Sequence, residues 1–368
     1  MPPLTVLSKP ASGDCNLRCR YCFYQDETQR RETPSYGVMS VQTLEAIVKK
    51  VMEYADGQCT IGFQGGEPTL AGLDFFRAYI DLVKKHNRKG LEVAHTLQTN
   101  GTLLTEDWAV FLKQNHFLVG LSIDGTACIH DQLRVDAVGR GSFARVWRGK
   151  ELLQKHGVDF NVLTVVTQQA SAHASDIYEF FVENDLLFHQ YIPCLAPLDA
   201  EGCGQYAVTA EAYSQFLCEL FDRWYEDQLR GTQVYVRYFE NLAGMLLGYP
   251  PENCGMCGHC VNQYVVEADG GVYPCDFYVL DRYRLGNLTT DSFEDLNRSA
   301  QQSGFIQDSL KVEPECLQCN LSGLCRGGCR RDRQRADMQT LGKSCFCAAY
   351  KKFLPYAVPR LMELLRHL

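Results

Sequence analysis

Cysteine is the residue type best able to do chemistry in this chain, and its placement is uneven. Eighteen cysteines occur in 368 residues. Three of them, Cys15, Cys19 and Cys22, share the stretch SGDCNLRCRYCFY, with three residues and then two between them. A structural zinc ion takes four protein ligands, and a fully ligated iron–sulfur cluster also takes four. Three thiolates on a [4Fe–4S] cluster leave one iron without a protein ligand, the open position that a catalytic metal keeps. A small molecule would fill it. Two other readings stand beside this one: a zinc site whose fourth ligand lies elsewhere, and thiols packed as ordinary core residues. Ten more cysteines lie between Cys254 and Cys347, so the C-terminal third is built differently from the rest.

Something must position these thiols. Short β-rich runs at 4–9, 60–63, 91–98, 116–123, 158–166 and 187–192 alternate with helical patterns near 40–55, 72–88, 105–115, 141–156 and 173–184. This alternation predicts parallel strands joined by right-handed crossovers. A closed eight-stranded barrel needs about 250 residues. Six strands within residues 1–195 therefore predict an α/β fold of the partial (β/α)6 barrel type, with an open doubly wound sheet as the rival. The cysteine loop follows the first strand, QGGEPT the second, TNG the third and DG the fourth. Gly, Asn and Asp form turns in their own right. Four such loops at one end of consecutive strands, however, are where α/β barrels place their chemistry. Gln64 and Asn100, at strand ends, are candidates there.

Residues 196–208 read as a linker, followed by helices at 209–230 and 237–248. A hairpin is expected over QYVVEADGGVYPC, turning at Gly270-Gly271, then a loop-rich segment to about 347 and a closing helix. The expected division is a βα domain at 1–195, a helical region at 196–252, a cysteine-rich domain at 253–347 and a terminal helix at 348–368. A loop-rich domain has little core of its own, and metal sites are a standard staple. Composition fits a globular chain, with 46% hydrophobic and 22% charged residues. A net charge of -8 makes nucleic acid a poor partner, and suits a basic or Arg-containing substrate. The basic run CRGGCRRDRQR (325–335) reads as a solvated face, or as charge offsetting thiolate-ligated clusters. The N-terminus has no apolar run after a basic segment, and no stretch approaches the ~20 apolar residues of a membrane helix. The expected location is the cytoplasm, where thiols stay reduced and serve as ligands or catalysts.

The loop Cys15-x3-Cys19-x2-Cys22, followed by Phe23-Tyr24, resembles the signature of radical S-adenosylmethionine (SAM) enzymes. The resemblance implies a [4Fe–4S] cluster whose open iron is chelated by SAM, and cleavage of SAM to a 5′-deoxyadenosyl radical. GGEP (65–68) matches the superfamily's second motif, its glycines letting the backbone approach the methionine part of SAM, with the charge of Glu67 close by. The C-terminal cysteines could form two zinc ribbons. Their finer spacing resembles the SPASM extension of peptide-modifying radical SAM enzymes: Cys260-x9-Gly270-x4-Cys275, then Cys316-x2-Cys319-x5-Cys325-x3-Cys329 and Cys347. This implies two auxiliary [4Fe–4S] clusters, three in all. Cys254, Cys260, Cys275 and Cys329 would hold the first, and Cys316, Cys319, Cys325 and Cys347 the second. Cys257, in the ferredoxin-like run CGMCGHC, and Cys345, beside Cys347, compete as ligands.

Over nearly the whole chain, PASGDCNLRCRYCFY, FQGGEPTLAGLDFF, LQTNGTLL, FLVGLSIDG, GVYPCDFYVLDRYRLGNL and CRGGCRRDR together resemble the anaerobic sulfatase-maturating enzymes. These oxidise one Cys or Ser of a sulfatase to Cα-formylglycine: the radical takes a Cβ hydrogen, a base takes the thiol or hydroxyl proton, and one electron leaves through a cluster. The resemblance implies Asp276 as base; an Asp at such a place otherwise orders a turn. It implies SAM contacts from Tyr24, Gly66, Ser122, Arg134 and Leu195, although Arg134 could equally make a surface salt bridge. It implies a sulfatase polypeptide carrying Cys/Ser-x-Pro-x-Arg as partner, and an electron donor such as a flavodoxin or ferredoxin. The alternatives are a SPASM enzyme that cross-links a ribosomally made peptide, and a non-catalytic metal scaffold. Cys59, Cys128, Cys194, Cys203 and Cys218 fit no motif and are expected to be small buried apolar residues.

Overall fold

The computed structural model describes residues 4–200 and 204–366. Its strands are β1 (Leu4–Ser8), β2 (Gln58–Phe63), β3 (Glu92–Thr99), β4 (Phe117–Ser122), β5 (Phe160–Val166), β6 (Phe188–Pro193), β7 (Tyr235–Val236), β8 (Val265–Val266), β9 (Gly271–Tyr273) and β10 (Gly286–Asn287). The principal helices are α1 (Phe23–Gln29), α2 (Val41–Tyr54), α3 (Leu73–His86), α4 (Glu106–Gln114), α5 (Ala127–Leu133), α6 (Phe143–Lys155), α7 (Ala174–Glu183), α8 (Ala210–Arg230), α9 (Arg237–Leu246), α10 (Phe293–Gln302) and a C-terminal helix, Cys347–Leu365. Six βα repeats follow one another from β1 to α8, as the sequence periodicity predicts.

The chain forms two compact units. The first comprises Met1–Ser122, Arg134–Phe160 and Val261–Phe305. Its strands lie in the order β10-β9-β8-β1-β2-β3-β4. Strands β1 to β4 are parallel, in registers such as Val6↔Ile61 and Thr60↔Ala94. Strand β8 adds to β1 in parallel, and β9 and β10 continue antiparallel. Helices α2 and α3 cover this sheet because their apolar residues recur at helical spacing: Leu44, Ile47, Val48 and Val51 on α2, Phe76, Tyr79, Ile80 and Val83 on α3. The Ser40 side chain caps α2 by accepting from the Thr43 amide at 3.0 Å. An edge-to-face aromatic cluster of Phe63, Phe76, Tyr79, Trp108 and Phe117 fills the space beneath.

The second unit comprises Ile123–Leu133, Asn161–Cys260 and Ile306–Leu368, with parallel β5, β6 and β7. Its core joins Phe221 and Trp224 of α8 to Phe239 of α9 and Phe353 of the C-terminal helix. That helix carries Pro355 and Pro359, each of which removes a backbone donor, and packing of Phe353, Leu354, Ala357 and Leu361 offsets the loss.

Three expectations change. The segment to residue 347 is not all loop: α10 stands on a capping box between Ser292 and Asp295 and buries Phe293, Leu296 and Ala300. The hairpin turns at 267–270, where the Gly270 amide bonds to the Glu267 carbonyl at 2.9 Å, and Gly271 already belongs to β9. Helices α1 and α5, seven residues each, are too short to show a period in sequence. No helix among the described residues is long and apolar enough to cross a membrane.

Candidate active site

The loop of Cys15, Cys19 and Cys22 leaves the C-terminal end of β1 and is fixed by its neighbours. Asn100, just after β3, donates to Asn16 Oδ1 at 2.9 Å, and its own Oδ1 accepts from the Thr102 amide at 3.0 Å. Its amide also points at Cys15 Sγ, 3.9 Å away. The Glu67 carboxylate, fully buried, accepts from Thr69 Oγ1 (2.6 Å), Thr99 Oγ1 (2.7 Å) and the Asn100 amide (2.7 Å). It ties the loop after β2 to the end of β3. Burial pushes its carboxyl up, and these donors oppose the shift.

The glycines of GGEP have a physical reason the sequence did not reveal. Gly65 and Gly66 take φ of 101° and 51°. A Cβ on Gly66 would lie 2.1 Å from the Asp14 carbonyl oxygen, and one on Gly65 would lie 2.7 Å from the Lys9 side chain. The Glu67 amide bonds to that same Asp14 carbonyl at 2.8 Å. The glycines let the second loop press against the cysteine loop and Lys9.

Asp276 lies in a short turn directly after Cys275 and is 8% exposed. Lys9, with no exposed surface, forms an ion pair with Asp276 Oδ1, and Gln64 Nε2 donates to Oδ2 at 2.6 Å. Lys9 Nζ also stands 3.9 Å from the centre of the Tyr24 ring. The Tyr24 hydroxyl donates to Glu267, which pairs with Arg31 at 2.6 Å. Burial opposes ionisation of Glu267, but Arg31 and Lys9 beside it hold its carboxyl below the usual range. Two buried cations thus face two buried carboxylates, the only economical way to keep four charges out of water. Lys9, Arg31 and Glu267 escaped the sequence reading. A lysine closing an apolar strand was the available signal for the first; the others carry no local signature.

Ser122, buried at the end of β4, accepts from Gln98 Nε2 at 3.2 Å. Arg134 is buried rather than at the surface, with its guanidinium 5.5 Å from the Tyr21 ring centre and close enough to Cys22 to favour its thiolate. Burial is the larger influence and raises the Cys22 thiol; the same cause pushes Cys15 up to about 12. Leu195, in the second unit, is half-buried just after β6.

In the second unit, Cys316, Cys319, Cys325 and Cys347 all line one cavity of ≈ 220 Å³. Cys254, Cys260 and Cys329 form another group, each raised by burial; neighbouring thiols add to the rise at Cys254 and Cys329, and Ser309, Arg330 and Arg333 oppose it at Cys260. Cys275 belongs to the first unit. Buried thiols that repel one another become thiolates when a metal binds. In number and type they fit iron–sulfur groups.

Residues 10–181 match the model of the radical SAM superfamily, and residues 254–320 match that of an iron–sulfur cluster-binding domain. The chain is 48% identical to the cysteine-type anaerobic sulfatase-maturating enzyme of Clostridium perfringens (strain 13 / Type A) over 99% of its own length and 98% of that protein. The chain belongs to the anaerobic sulfatase-maturating enzymes. The serine-type enzyme of Bacteroides thetaiotaomicron is 33% identical, with 97% of this chain and 90% of that protein covered. The solved structure of anSMEcpe with bound AdoMet superposes with a TM-score of 0.95 at 46% identity, covering 100% of both chains. A second, with AdoMet and the Cp18Cys peptide, gives 0.94 at 46% identity over 100% of this chain and 99% of that one.

As an anaerobic sulfatase-maturating enzyme, this protein has the radical SAM α/β fold with a SPASM domain, and the family works with SAM and three [4Fe–4S] clusters. Two readings of the sequence need correction. The run 325–335 is not a solvated face, because Arg330, Arg331 and Arg333 are buried among cysteines and backbone carbonyls. Cys59 and Cys194 are buried as expected, but Cys128 is exposed and Cys218 half-buried. On α5 it is Ile129, His130 and Leu133 that turn inward, which leaves Cys128 to solvent. Cys203 lies outside the described residues.

Proposed function

We propose that this enzyme oxidises a cysteine of a sulfatase, in a Cys-x-Pro-x-Arg context, to Cα-formylglycine, with Asp276 as the base. The observation that carries the reading is the clamp on Asp276: Lys9 engages Oδ1 and Gln64 engages Oδ2. A carboxylate offers about four lone-pair sites, so the clamp fixes its direction and leaves it able to accept a proton. It follows Cys275 directly, next to the path by which an electron leaves. Cys15, Cys19 and Cys22 would hold the SAM-binding cluster; Cys254, Cys260, Cys275 and Cys329 the first auxiliary cluster; Cys316, Cys319, Cys325 and Cys347 the second. When bound, SAM and its cluster supply the 5′-deoxyadenosyl radical that takes a hydrogen atom from the substrate Cβ. Tyr24, Gly66, Ser122, Arg134 and Leu195 orient SAM. For Tyr24 this role belongs to the ring, since its hydroxyl is engaged by Glu267. Asp276 receives the thiol proton, and Gln64 and Lys9 hold it in place meanwhile; the thioaldehyde so formed takes up water and releases hydrogen sulfide to give the aldehyde.

The same reading divides the chain into a partial barrel (1–195), a helical region (196–252), a SPASM domain (253–347) and a terminal helix (348–368). It places the enzyme in the cytoplasm with a flavodoxin or ferredoxin as electron donor, apart from nucleic acid and membrane. The wealth of cysteines outside disulfides among the described residues supports a reducing compartment.

The test is anaerobic incubation of the reconstituted protein with SAM, a reductant and a Cys-x-Pro-x-Arg peptide, read by mass spectrometry. An aldehyde at the cysteine, with 5′-deoxyadenosine alongside, is the expected result. Deoxyadenosine with an unchanged peptide would overturn the substrate assignment, and a cross-linked peptide would replace it with the alternative chemistry.

A further inference from the structure

Arg333 is a buried cation, 3% exposed, that no carboxylate pairs with among the described residues. Its guanidinium is spent on backbone: Nη1 donates to the Ser309 carbonyl at 2.8 Å, Nε to that of Gly342 at 3.3 Å, and Nη2 to that of Lys311. Carbonyls satisfy its donors but not its charge, and an uncompensated buried charge is among the costliest things a fold can carry. Thiols of both sets act on its charge, Cys316 from the four that line the cavity and Cys260 and Cys329 from the other, while the neighbouring Arg330 opposes it. Ser309 strengthens the link, because its hydroxyl accepts from the Cys260 amide at 2.9 Å while its carbonyl holds Arg333. One fixed positive charge therefore lies within reach of both cysteine sets of the second unit.

We propose that Arg333 is the shared counter-charge of the two auxiliary sites, and that its cation raises the reduction potentials of both. The proposal rests on the reading that these cysteines hold iron–sulfur clusters. Net charge and hydrogen bonding around the sulfurs are what set such potentials. A cation near both sites stabilises the reduced, more negative form of each, so either becomes a better acceptor for the electron that substrate oxidation releases.

The experiment uses the full chain with Cys15, Cys19 and Cys22 replaced by Ala, so that only auxiliary clusters remain, and titrates them by EPR at controlled potential. Arg333→Gln keeps hydrogen-bonding capacity without charge, and Arg333→Lys keeps charge without the fork. The expected result is that Arg333→Gln lowers both auxiliary potentials and Arg333→Lys leaves both near the parent values. A shift of one potential only, or of neither, overturns the shared role. Should Arg333→Gln fail to bind its full iron while Arg333→Lys binds it, the need for charge is upheld. If neither variant binds iron, or only the Gln variant does, the fork matters rather than the charge and the proposal fails. A parent protein without auxiliary signals overturns the cluster reading itself, and the proposal with it.

Discussion

The loop at Cys15–Cys22 and the segment at Cys316–Cys347 both gather thiols, but by opposite means. The first is short, and its backbone is held from outside. Asn100 ties it to β3, and Gly66 lets the loop after β2 lie directly against Asp14. The second is long and turn-rich, and one buried arginine, Arg333, holds it by grasping carbonyls of Ser309, Lys311 and Gly342. Three thiols on a stiff loop suit a site that exchanges a small molecule, because the open position must exist before the molecule arrives. Four thiols lining one cavity suit a staple, whose metal and fold form together.

The sharpest break in this comparison is to remove one thiol from the stiff loop. Cys15→Ala should abolish 5′-deoxyadenosine formation, measured by chromatography, while iron bound at the auxiliary sites persists. Next comes Asp276→Asn, which should cut formylglycine formation by about 10²–10⁴-fold, with SAM cleavage retained. Parent-rate aldehyde formation in that variant would remove Asp276 from the mechanism. Gly66→Ala tests how the stiff loop is held. Its Cβ meets the Asp14 carbonyl at 2.1 Å on a backbone with φ of 51°. A loss of about 1–3 kcal/mol in chemical denaturation, with weaker SAM binding, is expected.

Acid should affect the two units alike. Burial lowers His95 and His189 to about 4. Folding therefore favours the neutral ring, and the unfolded chain binds more protons between the ordinary value of about 6.5 and 4. The stability these rings contribute is fully present above pH 6.5 and falls as the pH drops towards 4. Melting curves across that window check it, and His189→Phe should flatten the dependence. The smallest effects belong to the competing thiols. Cys345 is exposed, and Cys257 is half-buried and directed at the Pro251 and Asn253 carbonyls. Cys257→Ser and Cys345→Ser should keep the full iron content; loss of iron in either would redraw the ligand set.

What the sequence disclosed follows a physical divide. Strands and long helices were legible because burial imposes a period on them, as in the Leu44–Val51 stripe of α2. The cysteine loops were legible because metal ligation needs fixed spacings. The Lys9–Asp276 pair was not, because its partners are 267 residues apart and nothing local marks them. The burial of Arg330, Arg331 and Arg333 was hidden for the same reason, since a run of charges looks solvated until its backbone partners are known. GGEP was found, but a second demand on its glycines, the close approach of protein backbone and a lysine, is visible only in three dimensions.

The pairing of β1 with β8 has a consequence for synthesis. Leu7 lies opposite Val265 and Ser8 opposite Val266, so the first strand made waits for one of the last to be completed on that side. At ribosomal speeds of about 5–20 residues per second, Lys9 emerges roughly ten seconds to a minute before Asp276. Throughout that interval the three N-terminal thiols are on a nascent chain without the residue that flanks their chemistry. Under the assignment of Asp276 as the base proposed above, a chain that stops short of Asp276 carries the three thiols of its first loop without the carboxylate that takes the substrate proton.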